Sequence, residues 1–212
     1  MGFFDLFRRS PAIVEAGALA EFIDRNAAFL VQKGMYEYSR ARAGHYAKVL
    51  LREPEFLIAM ESARWQAYPL GLAMVGEMVE KVLNPHIAAD RRAGIDALAG
   101  LVLSVFDRYP IPEPFDAPTW EGERRELARQ LELIGLHPPK PVKDIPVPFA
   151  KRYFDLMPIH QKLRAPDYPS ITNYLRVSLI NIHDRLVDCL DGAAAAQSLL
   201  AGNADRRRAP DR

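Results

Sequence analysis

Apolar positions recur at helical spacing along most of this chain. Leu19, Ile23, Ala27, Leu30, Gly34, Tyr38, Ala41, His45 and Val49 follow one another at three- and four-residue steps, which places them on one face of a helix. Ser10 followed by Pro11 predicts its start, an N-cap with proline at the first helical position. Gly34, preceded by Lys33, predicts either a break there or one bent helix. A second helix is predicted from Pro54 to Leu83. Pro69 kinks it or splits it near Tyr68, and Asn84-Pro85 ends it.

Inside the second helix four small residues lie four apart: Ala59, Ala63, Ala67 and Gly71. They form a row without bulk along one side, and such a row admits another helix at close range. The next predicted helix, His86 to Arg108, repeats the spacing at Ala89, Ala93 and Ala97. The two rows predict an intramolecular antiparallel crossing. Solvent-exposed Ala59, Ala63 and Ala67 would instead mark a dimer or partner interface. The uncharged stretch from Ala97 to Phe106 reads as central and buried on most sides.

Proline sets two extended connectors, 109–118 and 137–148. Between them Thr119 is expected to cap a charged surface helix that stops at Gly135, with Leu136 supplying the apolar contact beyond it. A short helix from Phe149 to Met157 and a turn over 158–164 follow. Ser170 then caps a last long helix with the core stripe Ile171, Leu175, Leu179, Ile182, Leu186 and Leu190, ended by Asp191-Gly192. The alanine run 193–196 adds a short terminal helix. No segment alternates with period two, so no sheet is expected. The fold class is all-α, an irregular bundle of about six helices with two Pro-rich connectors. The organisation is a Phe-rich segment over 1–9, a helical domain over 10–202 and a disordered tail over 203–212.

Composition narrows function by exclusion. The 212 residues carry 28 Lys and Arg against 27 Asp and Glu. So even a balance supplies no field for nucleic acid. The single cysteine, Cys189, excludes an intrachain disulfide. No secretory leader is visible, and the apolar run between Arg64 and Glu77 is too short to span a bilayer. A cytoplasmic location is the default.

Complete catalytic motifs are missing. There is no G-x-S-x-G, and no serine precedes a lysine by three residues. Gly71 to Gly76 has Walker-like spacing without the lysine. Asp184-x-x-x-Asp188 has a magnesium-binding spacing in a single copy and reads as a solvated acidic face. The histidines at 45, 86, 137, 160 and 183 form no i, i+4 pair. His45, His160 and His183 lie on three segments that a bundle could bring together. The simpler reading is three histidines bonded to unrelated neighbours, so no metal and no cofactor is expected.

Mixed polar and aromatic residues are the best pocket candidates. Tyr38, Arg42, His45 and Tyr46 share one stretch, and Arg64, Trp65 and Tyr68 another. Prolines 158, 166 and 169 stiffen a loop that carries His160, Arg164, Asp167, Asn173 and Arg176. Together with His183, the expected ligand-binding set is Tyr38, Arg42, His45, Arg64, Tyr68, His160, Arg164, Asn173, Arg176 and His183. The competing reading has the tyrosines at a core edge and the loop tying the last helix to the bundle. Phe3, Phe4, Leu6 and Phe7, beside Arg8 and Arg9, suit docking on a protein groove or weak peripheral contact with a membrane. Leu6 rules out a myristoylation signal.

The stretch Leu156–Arg176, with Asn181-Ile-His-Asp184 and Arg64-Trp-Gln-Ala-Tyr-Pro69, resembles an alphaproteobacterial all-helical family of no established activity. Some members of that family carry an esterase label, but this chain lacks a nucleophile elbow. No functional residue carries over. The expectation is a non-enzymatic interaction or adaptor protein of the bacterial cytoplasm. Its partner would be another protein or a second copy of the chain. The alternative is a helical ligand-binding protein or enzyme with a Tyr/Arg/His-lined pocket.

Overall fold

A computed structural model describes the backbone of residues 12–208 and the side chains of residues 12–204. Every regular element among the described residues is helical. Six long helices make the bundle: α1 (Ala16–Ala43), α3 (Pro54–Ile87), α4 (Arg91–Phe106), α5 (Ala117–Leu133), α8 (Tyr168–Cys189) and α9 (Gly192–Arg208). Short helices α2 (Ala47–Leu50), α6 (Val147–Asp155) and α7 (Gln161–Arg164) fill the connections. One isolated parallel bridge pairs Ile13 with Leu190. There the Ile13 N–H donates to Cys189 O at 2.7 Å and the Asp191 N–H to Ile13 O at 3.0 Å.

The two central helices, α1 and α3, form an antiparallel hairpin. The Gly34 break does not occur: α1 is continuous from Ala16 to Ala43. Glycine is needed there for packing, because a Cβ would overlap the Tyr174 ring and the Tyr153 hydroxyl. The helix stops instead at Gly44, whose φ of 52° is in the left-handed region that favours glycine. Ser10 and Pro11, the expected start, lie outside the described residues.

Several predicted boundaries move. α3 continues through Pro69 and Pro85 to Ile87 rather than ending at Asn84. Pro85 falls in the last turn, where little helix remains to be disrupted. α4 therefore begins only at Arg91, capped by Asp90, which accepts from the Ala93 N–H at 3.0 Å. Asp116, not Thr119, caps α5, accepting from the Thr119 N–H at 2.9 Å. Hydrogen bonding to Thr119, first to its side chain and then to its backbone N–H, holds the Asp116 carboxyl below its ordinary range. Leu136 makes no capping contact and is 76% exposed. Ser170 lies inside α8, which begins at Tyr168. Helical α9 runs to Arg208, which corrects the disordered tail expected for 203–208.

The small-residue row finds a different mate from the predicted one. Ala63, Ala67 and Gly71 are buried, and Ala59 is exposed. Gly71 sits against α1, where a Cβ would lie 2.7 Å from the Ala27 carbonyl oxygen. The row thus meets α1, not Ala89-Ala93-Ala97. Ala89 is exposed in the turn before α4, and the α3–α4 approach is made by Gly94 against Ile87 and Gly76 near Val102. Ala97 to Phe106 is mostly buried, with Ser104 its exposed member.

Candidate functional site

The expected ligand-binding residues divide among separate places. Tyr38, Arg42 and Arg164 come closest to a common site, around Asp167. The Tyr38 hydroxyl donates to Asp167 at 2.8 Å, and the Arg42 guanidinium lies 3.3 Å from the same carboxylate. Partial burial, then the hydrogen bond to Asp167, pushes the Tyr38 phenol up to about 12. Arg42 also donates to the Leu163 carbonyl. Arg164 donates to the carbonyls of Phe154 and Asp155 at 2.9 Å and of Met157 at 2.6 Å. Those carbonyls lie at and just beyond the C-terminal end of α6, where the helical ladder runs out. This cluster fastens the 158–167 loop to the end of α1.

Tyr68 belongs to another region. Its hydroxyl donates to Asp24 at 2.7 Å, and Tyr109 donates to the same carboxylate at 3.0 Å. Burial raises both phenols, with Asp24 adding to the effect. Trp65 packs edge-on against Tyr68, Tyr109 and Trp120. The rings fill the space between them, so this is a polar knot in the core wall. Arg64 pairs with Glu61, which also accepts from the Trp65 indole at 2.7 Å.

The rest are dispersed. His45 is exposed in the turn after α1, His160 is exposed and caps α7, and Asn173 is exposed on α8. His183 is half-buried beside Asp184 at 3.0 Å, and Arg176 has a buried Nε without a hydrogen-bond partner. No group of three or more His, Cys, Asp or Glu able to hold a metal ion occurs among the described residues. Phe3, Phe4, Leu6 and Phe7 lie outside them.

Sequence reasoning missed two buried carboxylates on α3. Glu80 is wholly buried and meets the Arg91 guanidinium at 2.9 Å. Glu77 is 5% exposed and lies 2.8 Å from the Lys140 ammonium. Arg91 also donates to the Ile134 carbonyl at 3.2 Å. Each carboxylate thus has a cation from a following segment, which ties α4 and the second Pro-rich connector to α3. Two acids interrupting an apolar run were the available signal.

The surface most available for function is the tip of the α1–α3 hairpin. It comprises the turn Gly44–Tyr46, α2 and the first turns of α3. Tyr46 is 77% exposed, Ile58 66%, Val49 58% and Leu57 48%. Single exposed apolar residues are ordinary, but several gathered at one end of a molecule are not. Just below the tip, α1 and α3 leave a groove of about 490 Å³ lined by Met35, Tyr36, Leu57 and Met60 together with Gln32, Lys33, Glu61 and Arg64. The tip is well braced. Arg52 N–H donates to Val49 O at 2.9 Å and Glu53 N–H to Leu50 O at 3.1 Å. The Asp167 cluster holds the end of α1 from the other side.

No family model, curated protein or solved structure matches this chain. No helix among the described residues is long and apolar enough to cross a membrane.

Proposed function

We propose that this protein is a non-enzymatic interaction module of the bacterial cytoplasm, an adaptor that recognises a protein partner through its hairpin tip. One observation carries the reading: Tyr46, Val49, Leu57 and Ile58 are all exposed around the turn from α1 to α3, and Leu57 lines a groove between those helices. Covering a side chain of this size stabilises a complex by about 1.5–3 kcal/mol before the costs of association. A protruding tyrosine beside aliphatic neighbours is a common form of binding anchor.

The Tyr/Arg/His pocket gains no comparable support. Tyr38, Arg42 and Arg164 spend hydrogen bonds on Asp167 and on backbone carbonyls, and Tyr68 spends its own on Asp24. Near-neutral charge argues against nucleic acid as the partner. Weak membrane contact through residues 1–9 remains a separate proposal for that segment.

The test places a photo-crosslinking amino acid at position 46 and, as a control, at the equally exposed position 136. The reading expects protein adducts from position 46 that vanish when Ile58→Asp is added and when excess unlabelled protein competes. Adducts equal at both positions, or none at 46, overturn it.

A further inference from the structure

We infer that residues 3–7 of the Phe-rich N-terminal segment dock back on their own chain, in a groove between the start of α1 and the end of α8. The groove holds about 960 Å³ and lies at the opposite end of α1 from the hairpin tip. Ile13, Ala18, Phe22 and Cys189 belong to its lining, with Arg25 and Asp188 among the polar members. Ile13 and Phe22 are also buried members of the core, so the groove opens onto the core itself. Ala12 lines it too. The chain that precedes residue 12 therefore departs from the groove wall. That point of departure is fixed by three hydrogen bonds. The Ile13 N–H donates to Cys189 O at 2.7 Å, the Asp191 N–H to Ile13 O at 3.0 Å and the Ala16 N–H to Ser198 Oγ at 3.0 Å.

Reach selects the occupant. Phe7 precedes Ala12 by five residues and Phe3 by nine. At no more than ~3.6 Å per residue these spans allow about 18 and 32 Å. The α1 wall of the groove, Ala18 to Asn26, is only about 12 Å of helix. Every apolar side chain of the segment is within range of it. The hairpin tip is out of range, because the 28 residues of α1 put Gly44 about 42 Å from the start of that helix. Tethering at the wall gives the segment an effective concentration there of order millimolar, above that of any free competitor in dilute solution. The segment also has apolar surface to cover: Phe3, Phe4, Leu6 and Phe7 are four of five consecutive residues, and burial removes them from water. This contact is independent of the hairpin-tip reading, and either can fail without the other.

A photo-crosslinking amino acid at position 4 of the full chain, in dilute solution, tests this. Intrachain adducts to peptides within 12–26 or 185–189 are expected, and Ala18→Glu should abolish them. Ala18 is exposed and lines the groove, so helical content by circular dichroism should match the parent. Cys189, the chain's single cysteine, supplies a second readout. Burial, then Asp188, pushes its thiol up, and Arg25 and Arg185 act against the rise, so the thiol shares the groove with these side chains. Maleimide should label the full-chain variant F3S/F4S/F7S at least about fivefold faster than the parent, the protection expected when tethering keeps the groove filled most of the time. The inference needs both results. Adducts formed only between chains give the groove to a second copy and overturn it. Adducts to lipid in place of the groove peptides, with phosphatidylcholine–phosphatidylglycerol vesicles present, give the segment to a membrane and overturn it. No adduct within the groove, or equal labelling of parent and variant, overturns it as well.

Discussion

The same two helices behave in opposite ways at their two ends. Around Gly71, α1 and α3 approach until glycine Cα faces the Ala27 carbonyl, and everything between them is buried. Toward the tip they part, leave a groove beside Met60, and expose Tyr46, Leu57 and Ile58. The small-residue row records the change: Ala63, Ala67 and Gly71 are inside and Ala59 is outside. Small residues permit close approach, but the side chains around them decide where it happens. Phe22, Leu30 and Val31 are buried at the closed end, and the open end exposes apolar residues.

Substitutions at the two ends should therefore differ sharply. The largest effect is expected from the buried ion pair that braces the closed region. Arg91→Ala leaves the wholly buried Glu80 carboxylate without its cation, at a cost of about 3–5 kcal/mol in urea denaturation. Replacing Glu80 and Arg91 together by Leu and Met should recover most of that loss. If Arg91→Ala costs under ~1 kcal/mol, Glu80 does not depend on Arg91.

Next comes the close approach itself. Gly71→Val places a Cβ where the Ala27 carbonyl oxygen stands, and a carbonyl in a helix has little room to yield. The expected loss is about 3 kcal/mol, read from the denaturation midpoint. Gly17→Ala, where a Cβ meets nothing within 4 Å, should instead stabilise by about 0.4–1 kcal/mol. Equal effects at the two glycines would remove the distinction between a packed and a free position.

The Tyr38–Asp167 contact joins the tip to the rest and should show in pH dependence. Folding raises the Tyr38 phenol from 10.0 to about 12, so the folded state holds its proton where the unfolded chain has released it. That contribution is fully present below about pH 10 and is lost as pH rises toward 12. Tyr38→Phe should flatten the fall in stability over this window. An unchanged slope would show that the hydroxyl is not held by Asp167.

The smallest effect on folding is expected at the tip. Ile58→Asp should change stability by no more than about 0.5 kcal/mol, because the side chain is 66% exposed. Its consequence belongs to association. A large loss of stability would mean that Ile58 is part of the core and that the open end is not open.

Part of this contrast was legible in the sequence. Three- and four-residue apolar spacing announced the helices, and clustered prolines announced both connectors. Periodicity could not separate buried from exposed stretches of one stripe. Val49 continues the same row as Leu19 and Ile23, yet it is 58% exposed while they are fully buried. Gly34 looked like a break because glycine is a poor helix former; its reason is a tyrosine from a helix far along the chain. Tyr38, Arg42 and Arg164 were grouped as ligand-binding residues, and the structure brings these three together around Asp167. Their partners, Asp167 and three backbone carbonyls, follow from chain reversal and not from spacing.

The sequence by itself determined that this protein is all-helical, where its rigid connectors fall, and that small residues allow a tight crossing. These are local properties, set by backbone preference and by the period of side chains on a helix. Tertiary structure alone decided that α1 is the mate of the Ala63–Gly71 row, that Glu77 and Glu80 are buried against Lys140 and Arg91, and that no described residue covers Tyr46, Val49 and Ile58 at the hairpin tip. Those outcomes depend on which surfaces meet across long sequence separations. Two helices with similar apolar faces compete for the same neighbour, and only the packing of the whole bundle settles which is buried and which stays exposed.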